Sequence, residues 1–580
     1  MSKLLDRSTL GTTRLGFADE GDLDLFVDKL ARFERGELSP DEWKAFRLVN
    51  GVYGQRQADE MMVRVKIPQG VLSPPQLRAL AEATERHAGG RGHLTTRQNL
   101  QLNFVKLADV EKVLRIAADA GLTSREACGN SVRNVTTCPL AGASAAEPFD
   151  PTPWAEAITR GLLRGALSAT LPRKFKIAFA GCCGSLDCVG ASFNDLGFFA
   201  RLKDGKPGFR VTLGGGLATL RRAGILAHEF APAEEVLEIA TAVVRVFNRT
   251  GDRKRRDKAR LKFVIERIGA EAFLAEYRAE REAITREGGM PAAPISSAPP
   301  RQPRAFRTRA GVPGLAGFTR TNVLPQKDPA LVSVLVRAPL GDLTSGQLRG
   351  LANLAEEFSE EGEDRATVEQ NLVLRFVQRG ALGSLHAALT ELGLGLAGAR
   401  TVADVTSCPG AFSCRLAVTT SRGMAWSLQE HFASKPEVAA RAEDLAIKIS
   451  GCPNGCGQHH VAGIGLQGSV RKVGGKAAPH YQLHLGGSFG ADTALFGRLS
   501  SRIAARRVPE AVERLIALYD REKAAGETPA AYFARVPLKQ VDGLLGDLAL
   551  GVEDAKADDF IDLGETKAFE DQQLEGECAA

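Results

Sequence analysis

The sequence predicts a mixed α/β protein of about three domains, built on an internal duplication. Three observations predict it. The chain has 580 residues, too many for a single hydrophobic core. Apolar residues make up 44% and charged residues 25%, the balance of ordinary globular protein. Finally, whole motifs recur at an offset of about 271 residues, with short shifts that fit loop insertions.

The repeat can be followed in order. VKIPQGVLSPPQLRALAE from Val65 matches VRAPLGDLTSGQLRGLAN from Val336. Pro68 pairs with Pro339, Gly70 with Gly341, and Gln76–Arg78 with Gln347–Arg349. LTTRQNLQLNFV from Leu94 matches ATVEQNLVLRFV from Ala366, and VTTCP from Val135 matches VTSCP from Val405. LGGG from Leu213 is echoed by LGGS from Leu485. Each half opens as strand, helix, strand, helix. Met62–Ile67 alternates like a strand, and Ser73–His87 has helical spacing behind a Ser and two Pro. Leu100–Val105 alternates again, and Leu107–Ala120 reads as a helix stopped by Gly121.

Between the halves, Gly288–Arg304 is dense in Pro, Ala and Ser and is expected to be an extended linker. The segment from Val552 carries a net −8, which leaves +14 on the rest of a chain whose total is +6. The acidic segment is expected to be poorly ordered or docked on the basic body. A basic body implies an anionic partner: nucleic acid, an acidic protein or small anions. No apolar run is long enough to span a membrane, and residues 1–20 lack the apolar core of a secretory signal, so the expected address is the cytoplasm.

Ten cysteines in such a chain point to metal or redox roles rather than disulfides. Cys408 and Cys414 have five residues between them, Cys452 and Cys456 have three, and 37 residues separate the pairs. Four thiolates from two loops can hold a 4Fe–4S cube, one per corner iron. A structural zinc site is the competing reading, though zinc knuckles favour spacings of two to four.

At these residues the chain resembles the ferredoxin-type sirohaem sulfite and nitrite reductases, with TSCPGAFSC and SGCPNGCG as the cluster motifs. The likeness runs from about Tyr53 to about Glu522. It implies an α/β (α+β) fold in which two ferredoxin-like β-α repeats form a pseudo-symmetric domain, flanked by two α/β domains that bind sirohaem and the cluster. The implied division is an N-terminal segment 1–60, repeat one 61–145, a sirohaem-binding domain 146–287, a linker 288–325, repeat two 326–400, a cluster and sirohaem domain 401–551, and the acidic tail 552–580. The implied cofactors are sirohaem and a 4Fe–4S cluster held by Cys408, Cys414, Cys452 and Cys456, with Cys456 bridging to the sirohaem iron.

The resemblance also implies a substrate face of Arg64, Arg133, Lys174 and Lys176 over the sirohaem, with Arg97 and Gln101 toward its carboxylates. Cations there would bind an oxyanion, polarise its bonds and relay protons. The basic stretch Asn248–Lys262 is expected to add to the pocket. In the duplication Arg64 maps to Leu335, Arg133 to Ala403, Arg97 to Glu369 and Ser144 to Cys414, so the first half is expected to supply cations and the second thiolates. Tyr53 and Cys128 resemble a pair that a subset of ferredoxin-dependent sulfite reductases joins covalently; they are expected to be neighbours, with a structural Tyr and a buried thiol as the plain alternative. Cys182, Cys183 and Cys188 fall outside the family pattern but are of a type that can hold a metal. His459 and His460 are expected to pack rather than ligate.

The expected reaction is six-electron reduction of sulfite to sulfide, with nitrite to ammonia as the alternative. The second lysine of Lys174–Phe175–Lys176 resembles sulfite reductases, where the nitrite enzymes tend to carry Asn. No dinucleotide fingerprint is present, so electrons are expected from a partner protein, an acidic ferredoxin first and a flavoprotein second. A zinc-containing nucleic-acid binder would suit the charge but leaves the one-sided cations of the repeat unexplained; neither nucleic acid nor membrane is an expected partner.

Overall fold

The computed structural model describes residues 15–182, 188–290, 301–490, 493–571 and 576–577. The matched motif Gln-Leu-Arg shows why the two repeats fold alike. Gln76 and Gln347 each accept from the backbone N–H three residues earlier, Ser73 at 3.0 Å and Thr344 at 2.9 Å. They thereby satisfy helix-end donors for Pro74–His87 and Ser345–Phe358. Leu77 and Leu348 are buried in one core shared by both repeats. Arg78 bonds Glu356 and Arg349 bonds Glu85, so the two helices clasp each other reciprocally.

Two sheets lie under these helices. The first runs Val52–Gly54, Glu60–Val65, Leu100–Lys106, Arg91–Leu94, and is completed by Asp342–Thr344 from the second repeat. The second runs Val323–Pro325, Leu331–Val336, Leu372–Gln378, Asp364–Ala366, and is completed by Val71–Leu72 from the first. Each repeat therefore lends the other a strand. The edge strands at Val52 and Val323 place the start of each sheet one strand before residues 61 and 326. The lending strands follow a left-handed residue in both halves, Gln69 (φ 57°) and Leu340 (φ 61°). Non-glycine residues rarely take that conformation, and its repetition marks it as part of the turn.

Each half then builds a further five-stranded sheet. Thr136–Thr137, Ile177–Ala180 and Leu196–Lys203 run parallel, followed by antiparallel Lys206–Leu213 and Ile225–Pro232. In the second half Thr406–Ser407, Ile447–Ser450 and Ile464–Val473 run parallel, followed by antiparallel Lys476–Leu485 and Arg498–Ala504. Helices such as Val236–Thr250 and Val508–Glu522 cover these sheets and close two separate cores.

Of the Gly288–Arg304 linker, 301–304 has no helix or strand and 291–300 lies outside the described residues; beyond it, Leu315–Asn322 is a helix whose Phe318 is buried in the core of the repeats. Much of the acidic segment is docked. The Thr420 N–H donates to Asp562 at 2.7 Å, Arg507 faces Asp559 at 3.6 Å, and buried Arg47 pairs with Glu577, whose carboxylate also accepts from the Gly54 N–H at 2.6 Å. Cys578 lies outside the described residues.

Candidate functional site

Parallel strands deliver their connecting loops to one end of a sheet, where ligand sites of α/β proteins usually sit. Cys408 follows Thr406–Ser407 and Cys452 follows Ile447–Ser450 at this end of the second-half sheet. The Cys408 N–H donates to Ile449 O at 3.2 Å, and the Gly451 N–H points at Cys408 Sγ from 3.4 Å. Cys414 is folded back by its N–H to Gly410 O at 2.9 Å. The tight loop requires Gly457: a Cβ there would lie 1.8 Å from Ile449 O. Burial pushes the Cys452 thiol well up, and Cys456, Cys408 and Cys414 push it further; Cys408 is raised by burial and by Cys456. Bringing these thiols together as thiolates would need a cation among them. Among the described residues, no three of these four sulfurs lie within 4.8 Å of one another, a spread that suits a polynuclear cluster rather than one ion.

Cys456 is exposed, and it opens on a cavity of about 770 Å³. Lys174, Lys176, Arg255, Arg260 and Lys262 line the same cavity. A smaller recess of about 120 Å³ adjoins it, sharing Lys174, Lys176 and Cys456 and adding Arg64, Arg97, Gln101 and Arg133. The sequence-assigned cations of the first half and the exposed thiol of the second thus face one space. Thr96 seals the junction, its hydroxyl donating to Cys456 O at 2.8 Å.

Each cation is held by its own framework. Arg64 and Gln101 are opposite one another on neighbouring strands. The Gln101 oxygen, turned toward the guanidinium, accepts at 2.6 and 3.2 Å. Arg64 also lies 5.6 Å from the centre of the Tyr53 ring and 3.4 Å from Cys128 Sγ. Tyr53 and Cys128 share one small buried cluster, and the Gly129 N–H donates to the Tyr53 hydroxyl at 3.4 Å. Arg133 donates to Gly129 O at 2.6 and 3.1 Å and to Ala127 O at 3.3 Å. Arg97 donates to Asn194 Oδ1 at 2.8 Å and to Asn134 O and Ile177 O. Burial, then Arg97, Arg260 and Lys174, pushes the Lys176 ammonium well below the usual lysine range. Such crowding of like charges in a half-buried space is costly unless an anion fills it.

The residues therefore fit both halves of a coupled cofactor: a cation-lined cavity for a polycarboxylate macrocycle, and a set of four thiols, one buried and two half-buried, whose exposed member faces that cavity. A family model for the nitrite and sulphite reductase 4Fe-4S domain matches residues 128–284 and 398–540, and one for the ferredoxin-like half domain of nitrite/sulfite reductases matches 53–120 and 324–392. The chain belongs to the nitrite and sulphite reductase family.

The ferredoxin–nitrite reductase of Synechococcus elongatus is 32% identical over 465 residues, covering 78% of this chain and 85% of that protein. The ferredoxin sulfite reductase of Mycobacterium tuberculosis is 30% identical over 498 residues, covering 83% of each. The solved structure of the Mycobacterium tuberculosis NirA protein superposes with a TM-score of 0.75 at 26% identity, covering 88% of this chain and 95% of that one. Reductases of this family carry sirohaem and a 4Fe–4S cluster. Among the described residues no helix is long and apolar enough to cross a membrane.

Several features of this reductase escaped sequence reasoning. Lys44 and Arg173 also line the larger cavity, and Asp195, which pairs with Arg260 at 2.7 Å, is the buried acid that fixes one of its cations. No spacing signals these, because their partners are far apart in the chain. His459 and His460 pack as expected, with ring centres 3.8 Å apart, and burial pushes His460 down to about 3. The division into a cationic half and a thiol half is incomplete. Cys138, Cys182 and Cys188 of the first half also converge, while Cys183 lies outside the described residues.

Proposed function

We propose that this reductase takes sulfite to sulfide by six electrons drawn from a ferredoxin-class donor, with sirohaem and the cluster held by Cys408, Cys414, Cys452 and Cys456. The observation that carries the reading is the convergence of Lys174, Lys176, Arg64 and Arg133 on the space in front of Cys456. When bound, the macrocycle and cluster supply the electrons and the iron at which substrate is held. The protein's own side chains do the rest. Arg64, braced by Gln101, and Arg133, braced by two carbonyls, hold the oxyanion in one orientation. Lys174 and Lys176 supply positive charge and protons to oxygens that leave as water. Arg97 and Gln101 complete the wall beside the macrocycle. Two lysines favour sulfite, which carries more negative charge than nitrite and must lose three oxygens.

Tyr53 and Cys128 belong to this reading as buried neighbours that pack beside the substrate cations. The name of the cyanobacterial relative keeps nitrite as the second reading. Steady-state turnover of the holoenzyme with reduced ferredoxin, run on sulfite and on nitrite, decides between them. A higher kcat/KM on sulfite is expected, and Lys176→Asn should move the ratio toward nitrite. A higher kcat/KM on nitrite in the native chain would overturn the assignment.

A further inference from the structure

The duplication extends to the metal loops. Cys138 N–H donates to Phe179 O at 3.0 Å, as Cys408 N–H does to Ile449 O at 3.2 Å. Ser144 N–H donates to Leu140 O at 3.0 Å, as Cys414 N–H does to Gly410 O at 2.9 Å. Strand pairs Thr137–Phe179 and Ser407–Ile449 correspond, as do Ile177–Leu196 and Ile447–Ile464. Downstream, Gly190 (φ 65°) stands where Gln458 (φ 63°) stands, each opening a short helical turn. In this register Cys138 corresponds to Cys408, Cys182 to Cys452 and Cys188 to Cys456. Only the fourth ligand differs, Ser144 for Cys414.

We propose that Cys138, Cys182 and Cys188 form a second metal site that binds a single zinc ion, at the place in the first half that the cluster loops occupy in the second. Their three sulfurs all lie within 4.8 Å of one another, and Cys138 and Cys182 are 3.5 Å apart. A tetrahedral zinc with Zn–S bonds of about 2.3 Å places its sulfurs about 3.8 Å apart. That matches this trio and is too tight for a cube with one thiolate per corner iron. At 3.5 Å the pair is not joined as a disulfide, whose S–S bond is about 2.05 Å, and three thiols cannot all be satisfied by pairing. The Ser144 hydroxyl, 3.7 Å from Cys182 Sγ, offers a neutral fourth position, shared with or replaced by water. Thiolate-rich tetrahedral sites select zinc among common divalent ions.

Binding a metal would release the protons of these thiols, so occupancy should rise with pH. The site stands at the far end of the strand Ile177–Ala180, which leads directly from Lys176. Zinc there would tie this strand's exit to the loop after Thr136–Thr137.

The holoenzyme, purified without chelator or metal-affinity tag from zinc-supplemented cells, should carry about one zinc per chain beside its iron. Zinc K-edge absorption should show sulfur neighbours at about 2.3 Å. The double variant Cys138→Ser/Cys188→Ser should lose the zinc while keeping the visible bands of sirohaem and cluster. The absorption measurement needs no variant, so it decides even if the substitution fails to fold. Native protein without zinc, zinc with only nitrogen and oxygen neighbours, or iron beyond that of the cluster and macrocycle would each overturn the assignment.

Discussion

Gln101 shows what one side chain contributes here. It is buried and uncharged, and it accepts twice from Arg64, the cation nearest Tyr53 and Cys128. Hydrogen bonds to a charged group are worth about 1.5–3 kcal/mol. Gln101→Leu should therefore lower kcat/KM for sulfite by roughly ten-fold or more. Turnover equal to that of the native enzyme would show that Arg64 needs no brace. Asp364 is the opposite case. It is fully buried and neither carboxyl oxygen has a hydrogen-bond partner among the described residues, and burial, then Glu361 and Glu363, pushes its carboxyl well up. A carboxyl raised above its unfolded value stabilises the fold at acid pH and loses that contribution as pH rises through the folded value. Asp364→Asn should accordingly raise the thermal midpoint at pH 8, by about 1–3 kcal/mol of stability, with the gain shrinking toward pH 5. Thermal melts at the two pH values check this. The cations of the site were legible from motif likeness. Asp364 was not, because nothing in ATVEQN or the residues before it signals that the backbone carries the acid into a core.

At the scale of elements, the exchanged strand Asp342–Thr344 carries more than its three residues suggest. Asp342 bonds His93 at 3.0 Å and also bonds Arg422, linking the first repeat's sheet to the second half's cluster domain. Burial alone would raise its carboxyl, but Arg422 and His93 outweigh it and hold it at about 2. A depressed carboxyl contributes stability above its unfolded value near 3.9, and that contribution disappears as pH falls toward 2. Asp342→Ala should cost about 1–3 kcal/mol at pH 7, because it leaves buried His93 and half-buried Arg422 without their acceptor, and should matter far less near pH 2. Denaturant titrations at both pH values measure the difference. Strands and helices of the repeats were readable from periodicity and capping residues: Pro74–His87 and Leu100–Lys106 fall where the pattern placed them. Strand exchange was not readable, since Val71–Leu72 and Asp342–Thr344 are too short for any periodicity and their partners lie some 250 residues or more away.

At the scale of the molecule, charge is the main lever. The body's positive excess is partly met by the acidic segment, which is bound to it through Arg47 and Arg507. A basic enzyme taking electrons from an acidic ferredoxin should show steering that weakens with salt. The KM for ferredoxin should rise by roughly ten-fold between low and physiological ionic strength, while turnover with a small uncharged reductant stays level. A ferredoxin KM indifferent to salt would remove electrostatic steering from the account. The docking of the acidic segment was only half legible. Its charge implied attraction to the body, but Asp562 capping Thr420 depends on the tertiary meeting of two distant chain segments.

The lent strands bind the fate of the two repeats together. Separated, each would keep a sheet with one side missing its last ladder, an open row of amide and carbonyl groups inviting aggregation. A polypeptide cut between residues 290 and 301 should thus behave as two fragments that are insoluble when made alone and regain shape, colour and turnover when made in the same cell.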